Sequence, residues 1–439
     1  HRILAGSGNV TLSVATNAGA AGTTVENFGV GSSVTIQGRK AIIDPTSDLT
    51  NGETYHISYP SGAFTNTGGD VSYVGTAYTF GAQIFTRSLW SWGYNNHGQL
   101  GQNSRTNVSS PIQIPGTTWA DLDLKSTAGG GGSNSAFIKT DGTLWTCGRN
   151  MSGQLGQNQP GASSRSSPVQ IPGTTWSVVS LSYSHGLALK TNGTLWAWGF
   201  NANGQSGQNN RTYYSSPIQI PGTTWTEPFS GRNVSGALKT DGTLWIWGWN
   251  RNGQLGDNSE ISRSSPVQIP GTTWRSGSSG ATDHMFATKT DGTLWAWGKN
   301  TTGQLGLNNN TQYSSPIQIP GTTWDLVSGG YSHIGVATKT DGTLWTWGYG
   351  GHGDTGQNIT TNISSPTQIP GTTWANIGSG GYAKLATKTD GTLWAWGNNF
   401  NGCLGLNNTT QYSSPIQIPG TTWNTVKSVG GGSFAIKRA

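Results

Sequence analysis

The sequence predicts an all-β protein: a seven-bladed β-propeller closed by pairing of its N- and C-terminal strands, preceded by a small β-sandwich. Three observations carry this. A unit of about 50 residues recurs seven times, one copy reading TKTDGTLWAWGKNTTGQLGLNNNTQYSSPIQIPGTTW from Thr288 to Trp324. A period of that length marks a repeat architecture, whose units bury their faces only by stacking. Apolar residues alternate over short runs bounded by Gly, Asn and Pro, as in strands, and no helical periodicity of useful length appears. The two ends of the array are complementary parts of one unit.

Two domains are expected, 1–81 and 82–439. All 21 tryptophans lie in the second. In the first, the runs VTLSVA (Val10 to Ala15), SSVTIQG (Ser32 to Gly38) and TYHISY (Thr54 to Tyr59) alternate between turn residues, the pattern of an antiparallel sandwich. In the second, the first Trp of an LWxWG segment falls at 90, 145, 196, 245, 295, 345 and 394, with gaps of 55, 51, 49, 50, 50 and 49 residues. Each unit reads as four strands. One ends in a lysine, as in Met285 to Lys289, and the next is Thr293 to Gly298. The Thr-Asp-Gly between them predicts a type I′ hairpin turn, because Asp-Gly tolerates positive φ. Within LWAWG the two tryptophans share one face, and Leu and Ala share the other. NxxGQLG is a Gly-rich turn, SSPIQIPGTTW holds a third strand ended by Pro-Gly, and a fourth lies near Val327 to Gly330.

The first unit begins at Ser88-Leu89-Trp90 without a lysine strand, and the last stops at FAIKRA without an LWxWG strand. Pairing Phe434–Lys437 beside Leu89–Gly93 would complete both and close a ring, removing exposed sheet edges. An open solenoid would leave two such edges and needs no complementary ends.

Two resemblances follow from these motifs. Residues 41–80, with Asp44-Pro45, the Leu49 to Tyr55 stretch, Ser61-Gly62-Ala63-Phe64 and Tyr78-Thr79-Phe80, resemble the C-terminal part of the Ig-like domains of bacterial surface-layer and adhesin proteins. Such domains have further strands before the point matching Gly6, so this one is expected to be incomplete, with upstream domains of a longer chain. LWxWGxNxxGQLG followed by SSPxQIP, from Leu89 onward, is similar to the regulator of chromosome condensation repeat family. That resemblance implies seven-bladed propellers. It includes a guanine-nucleotide exchange factor bound to nucleosomes and a secreted inhibitor of β-lactamase. The family often carries a His before the lysine strand. Here it appears at His185, His284 and His333, while Asn134, Val234, Ala383 and Gly432 stand elsewhere. Exchange-factor residues therefore do not map across. The uniform repeats, GTTW endings and Asn/Thr/Ser-rich loops look like versions from bacterial, phage and other extracellular proteins.

Composition excludes several function classes. Net charge is +6, yet seven of the 24 basic residues are the repeat lysines, and an Asp follows two positions later in five copies. Interleaved signs weaken the field that nucleic-acid binding uses, so no nucleic-acid partner is expected. No run reaches membrane-spanning length. Cys147 replaces the second Trp of its LWxWG and Cys403 replaces a GQLG Gln; they lie in non-adjacent repeats, so neither a disulfide nor a metal pair is expected. The three histidines fall in different blades and read as structural. Five of the 18 acids are the hairpin Asp, which backbone geometry demands. No catalytic, metal or cofactor residues emerge, and the protein reads as a non-enzyme.

A Trp present in every copy is a packing requirement, so a binding site should appear where copies disagree. The residue after LWxWG is such a place: Tyr94, Arg149, Phe200, Trp249, Lys299 and Tyr349, then Asn398. Aromatics and Arg dominate binding hot spots. A second variable zone precedes SSPxQIP (Arg105, Tyr213, Tyr214, Arg263, Tyr313, Tyr412), and a third precedes the lysine strand (Arg232, Tyr331, Tyr382). Together these features predict a recognition or structural module of an extracellular, cell-surface or virion appendage, such as a phage fibre or bacterial adhesin. It would bind a protein or glycan partner through the variable loops, with an oligomeric assembly left open. The alternative is a secreted protein inhibitor or an intracellular interaction propeller.

Overall fold

In the computed structural model, which describes residues 4–5, 7–16, 20–30, 32–37, 40–43, 45, 49, 53–65, 78–81, 87–120, 133–159, 164–280, 283–330, 333–379 and 381–438, every regular element is a β-strand. The chain divides into two units, His1–Phe85 and Thr86–Ala439.

In the first unit, four antiparallel strands lie in the spatial order Ala21–Gly29, Asn9–Ala15, Thr54–Ser58, Tyr78–Gly81. A hairpin of Val34–Gln37 and Lys40–Ile43 and a short pair, Leu4–Ala5 with Phe64–Thr65, accompany them. Alternation places Val10, Leu12, Phe28, Val34, Tyr55, Ala63 and Phe64 in one core.

The second unit holds seven sheets, called blades 1 to 7 after their tryptophan strands: Arg87–Gly93, Leu144–Gly148, Leu195–Gly199, Leu244–Gly248, Leu294–Gly298, Leu344–Gly348 and Leu393–Gly397. Blade 5 is representative. Its inner strand is Trp274–Ser279, followed by the lysine strand His284–Lys289, the tryptophan strand and an outer strand Tyr313–Ile319. Inner strands of neighbouring blades pack beside one another; Ser180 Oγ and Ser230 Oγ are 2.9 Å apart across one such junction. Blade 1 is composite: Gly432–Arg438 pairs with Arg87–Gly93, setting Phe434 opposite Ser91 and Lys437 opposite Ser88. In blade 2 the described inner position is Trp119, bridged to Lys139.

Alternation makes each blade two-faced. Leu294 and Ala296 pack with Trp324, Ala337 and Trp347 of the next blade. Trp297, Met285 and Ala287 pack with Leu244 and Ile246 of the preceding one. The buried indole N–H must find an acceptor. It donates to the carbonyl of the residue after Gly in the preceding blade's GQLG turn. The pairs are Trp92 to Cys403, Trp198 to Gln154, Trp247 to Gln205, Trp297 to Gln254, Trp347 to Gln304 and Trp396 to Asp354, at 2.8–3.0 Å.

A second latch runs around the ring. Asn103, Asn158, Asn209, Asn258, Asn308, Asn358 and Asn407 hold φ between 53° and 59°. Asn is among the few non-Gly residues that tolerate this region. The turn aims each backbone N–H at a Ser carbonyl of the next blade, as in Asn308 N to Ser364 O at 2.8 Å. The side chain adds a bond from Ser365 Oγ to Asn308 Oδ1 at 3.1 Å.

The lysine hairpin differs from the expected type I′ turn. Gly292 takes positive φ, 82°, but Asp291 does not. Asp291 acts instead through its carboxylate, which accepts from Thr293 N at 2.9 Å and Thr293 Oγ1 at 2.7 Å. Thr293 Oγ1 in turn accepts from Trp295 Nε1 at 2.9 Å. Lys289 Nζ then sits 4.7 Å from the Trp274 ring and 4.1 Å from Trp295, a cation–π sandwich repeated round this face.

Blade 2 departs from this pattern at two places together. Cys147 stands where the other blades have the second Trp, and Phe137 stands where they have Ala188, Ala237, Ala287, Ala337, Ala386 and Ala435. Both are buried in one cluster with Leu89 and Leu100 of blade 1, and Phe137 packs 5.4 Å from the Phe434 ring. The volume lost at one site is restored at the other.

Two outcomes are expected in chemical denaturation. Asn308→Ala should cost about 1–2 kcal/mol, the price of the left-handed conformation for an ordinary side chain, and Asn308→Gly clearly less. Cys147→Trp alone should overpack by about 1–3 kcal/mol and Phe137→Ala alone should leave a cavity costing about 3–5 kcal/mol. The double variant should be more stable than either single one. Additive losses would refute the proposed volume exchange.

Candidate functional site

The six candidates occupy one structural place, the first residue past a tryptophan strand. Each backbone N–H is fixed to the carbonyl of the residue just before a lysine strand. Tyr94 bonds Gly431 at 2.8 Å, Arg149 bonds Ser133 at 2.7 Å, Phe200 bonds Ser184 at 2.8 Å, Trp249 bonds Asn233 at 2.9 Å, Lys299 bonds Asp283 at 2.9 Å and Tyr349 bonds His333 at 3.0 Å. All six side chains are half-buried. They therefore lie on the face of the ring opposite the Lys–Trp sandwiches. Asn398, at the seventh place, is 5% exposed. Its Oδ1 accepts from Phe400 N at 3.0 Å, so it serves the turn.

The candidates meet residues of the other variable zones. Phe200 lies 4.9 Å from the exposed Tyr213 ring. Tyr94 faces His97 at 6.4 Å, and Tyr349 faces His352 at 6.0 Å, which in turn meets Phe400 of blade 7 at 5.7 Å. The Arg251 guanidinium lies 5.0 Å from the Trp249 ring. Arg149 bonds the Tyr183 hydroxyl and lies 5.3 Å from its ring, and Arg232 approaches the same ring at 5.8 Å. Other members of those zones serve the scaffold. The hydroxyls of Tyr214, Tyr313 and Tyr412 accept from Asn210, Asn309 and Asn408, Arg263 is paired with Asp257 at 3.0 Å, and Arg105 reaches Ser164 O at 3.2 Å. Tyr382 is tied through its backbone N–H to Gly430 O at 2.7 Å. Tyr331 and the Gly-rich run at 129–132 lie outside the described residues.

Sequence reasoning missed the polar position that joins the blades beneath this face. In two blades the Gln of GQLG reaches the neighbouring loop: Gln254 Nε2 donates to Asp283 Oδ1 at 3.2 Å, and Gln304 Nε2 meets His333 Nδ1 at 3.1 Å. In blade 6 Asp354 replaces this Gln and pairs at 2.7 Å with Lys384, both fully buried. Lys384 Nζ also donates to Tyr382 O at 3.0 Å. The signal was present: Asp354 and Lys384 are each unique among seven copies, although they stand 30 residues apart with two strands between them. Strand register also separates the histidines. His185 and His284 open their strands opposite Gly199 and Gly298, whereas Ile334 does so opposite Gly348. His333 lies one residue earlier, with φ 56°, at the place of Asp283, with φ 65°.

Burial governs the titration of these groups. It pushes the His185 imidazole down to about 3, with Ser182 Oγ at 2.7 Å and Ser235 Oγ at 2.9 Å holding the neutral ring. Burial, helped by Lys299, lowers His333 to about 4. Burial raises Asp283 above the usual carboxylate range against the pull of Lys299 and Arg232. Cys147 and Cys403 are pushed up to about 12, so both thiols stay protonated and inert at neutral pH.

Residues 88–436 match the model of the RCC1-like domain. A 68-residue stretch is 43% identical to the secretion-regulating guanine nucleotide exchange factor of Mus musculus, covering 16% of this chain and 14% of that protein. A 117-residue stretch is 33% identical to the X-linked retinitis pigmentosa GTPase regulator homolog of Caenorhabditis elegans, covering 24% of this chain and 8% of that protein. The matched segments thus span less than a sixth of either relative. Yeast RCC1 (Prp20), solved bound to Kap60, superposes with a TM-score of 0.70 at 18% identity, over 81% of this chain and 89% of that one. At that identity the likeness shows the fold.

These matches correct the expected role and location. The reading of an extracellular, cell-surface or virion module that binds a glycan or surface protein is overturned, because the relatives are by name a nucleotide exchange factor and a GTPase regulator, and GTPases work inside cells. One ground of that reading, beside the low charge and the Ig-like segment, is the Asn/Ser/Thr content of the loops. It is used by the scaffold, in the seven left-handed Asn turns and their Ser contacts, and carries no information about compartment.

The histidines set an expected pH dependence. Their folded-state affinities for protons lie below the ordinary 6.5, so the unfolded chain binds more protons as pH falls from about 6.5 to about 4 and stability declines across that window. The hairpin aspartates are held below 3.8 by their Thr partners and act only at lower pH, and Asp283 opposes the decline near its lower end. His185→Asn with His333→Asn should flatten the slope of melting temperature against pH in that window, whatever it does to the midpoint. An unchanged slope would count against these assignments.

Proposed function

The chain belongs to the RCC1-like domain family, and from that premise we propose that it is a non-enzymatic, intracellular interaction propeller. It holds a protein partner on the face carrying Tyr94, Arg149, Phe200, Trp249, Lys299 and Tyr349. One observation carries this reading. Six of seven near-identical blades fix the backbone of one residue each by the same bond, and at those six places the side chain is aromatic or cationic and different from its neighbours. The opposite face repeats a Lys–Trp sandwich with little change. Half-buried rings already packed on a neighbour lose little side-chain freedom on binding, which favours them as anchors.

Small GTPases are the first partner class to test, given the names of the relatives. No exchange activity is assigned, since the chain covers only a small part of either relative. Residues 82–439 are read as the propeller and residues 1–81 as part of an Ig-like sandwich. The antiparallel four-stranded sheet and the core around Leu12, Phe28 and Tyr55 support the latter.

Binding of purified small GTPases to the immobilised chain tests the proposal. Phe200→Ala with Trp249→Ala should weaken binding by about tenfold or more. If that variant binds normally while Lys289→Gln does not, the partner sits on the other face and the reading fails.

A further inference from the structure

The cations on the variable face are gathered on one side of it. Arg149 of blade 2 and Arg232 of blade 4 both lie against Tyr183 of blade 3, at 5.3 and 5.8 Å. Lys299 of blade 5 continues the arc, since it and Arg232 both act on Asp283 between them. Across the ring, the corresponding places in blades 6, 7 and 1 are the uncharged Tyr349, Asn398 and Tyr94.

Asp283 offsets part of the arc's charge, and its three cations remain in excess. The described ion pairs on the ring are Arg263–Asp257, Arg275–Asp325 and Lys384–Asp354, and none includes Arg149, Arg232 or Lys299. Asp283 is the acid within the arc, and its carboxylate is turned to amides: Oδ2 accepts from Asn252 Nδ2 at 3.1 Å and Oδ1 from Gln254 Nε2 at 3.2 Å. Glu260 bonds Gln312. Arg149 places one guanidinium nitrogen on the Tyr183 hydroxyl and the other on Met151 Sδ, which leaves part of its five-donor fork for a carboxylate, and holding two guanidiniums at 5.3 and 5.8 Å from one ring sets their separation before binding.

We propose that this arc seats an acidic, extended segment of the protein partner, with its carboxylates on Arg149, Arg232 and Lys299 and its backbone crossing Tyr183. The inference rests on the reading of this face as the partner surface and adds the chemistry of what it receives. A protein segment fits better than a nucleic acid. The cations are few, come from separate blades and have Asp283 among them, whereas phosphate backbones are held by denser, unbroken positive charge.

The test uses the full chain and a short fluorescein-labelled polyglutamate peptide, read by fluorescence polarisation. The peptide should bind, its polyglutamine counterpart should not, and added salt should weaken the complex. Arg232→Gln, an exposed position whose loss should leave the fold intact, should weaken it by about tenfold, and Arg149→Lys should weaken it while leaving the melting temperature near wild type. Absence of polyglutamate binding, equal binding of polyglutamine, or indifference to Arg232→Gln would overturn the proposal. So would an oligothymidylate that binds more tightly and displaces the peptide. If the peptide fails but Phe200→Ala with Trp249→Ala still weakens a GTPase, the acidic segment is refuted and the docking face stands. If both fail, the face is misassigned as well.

Discussion

The bond on which the rest of this protein depends is that between a buried indole N–H and a main-chain carbonyl of the preceding blade. Trp297 to Gln254 O, at 3.0 Å, is one instance. An unpaired N–H at such a place would cost more than the bond contributes, because it could not return to water. The Trp therefore demands a turn that presents a carbonyl at one point, and the Gly-rich turn provides it. That turn in turn requires an Asn to organise it. Asn250 accepts from Leu255 N at 2.8 Å through Oδ1 and donates to Ser259 O at 3.0 Å and Ile261 O at 3.2 Å. In the six blades that carry it, one indole thus ties its own blade to the Gly-rich turn of the preceding one. Where the indole is missing, at Cys147, a phenyl ring from another strand has taken up its volume.

Much of the ring was legible in the sequence, for reasons that follow from this constraint. Period, strand alternation and complementary ends are direct consequences of stacking identical units, and they appear as repeated letters. Features that hold blades together through single polar atoms were less legible. The Asn of each GxN turn looked like loop composition, and only its φ reveals it as a latch. The hairpin Asp was assigned a backbone role that the following Gly performs, while its own work is to bind Thr293. His333 looked equivalent to His185 and His284 by spacing, but register sets it level with Asp283 instead of His284. The pairing of Asp354 with Lys384 needed two unique letters to be compared across two intervening strands.

The variable face was legible as a set of positions but not as an arrangement. Repeat comparison named Arg149 and Arg232 separately, in different zones. Tyr183 was in neither set, yet it is the ring that brings them together. The fixed backbone bond at six of the seven places after LWxWG explains why such variety is tolerated there: the side chain changes while the amide above it stays bound to the equivalent carbonyl. Loop composition, by contrast, misled about compartment, because polar residues that serve the ring's own hydrogen bonds resemble those that face an exterior solvent.

The composite blade has a consequence for synthesis. Its closing strand, Gly432–Arg438, is the last part of the ring to leave the ribosome, and it pairs with Arg87–Gly93, near the beginning of the same unit. Six sheets can form in order as they emerge, each waiting only for its neighbour, but the first must wait for the end. Until then Leu89 and Trp92 lack the strand that covers them. The delay costs little free energy at equilibrium, since loop-closure entropy grows only with the logarithm of length. Its effect is on timing: a nascent chain that stalls anywhere short of that strand exposes an unpaired, tryptophan-bearing edge, and so distinguishes itself to the cell's chaperones and proteases from a finished one.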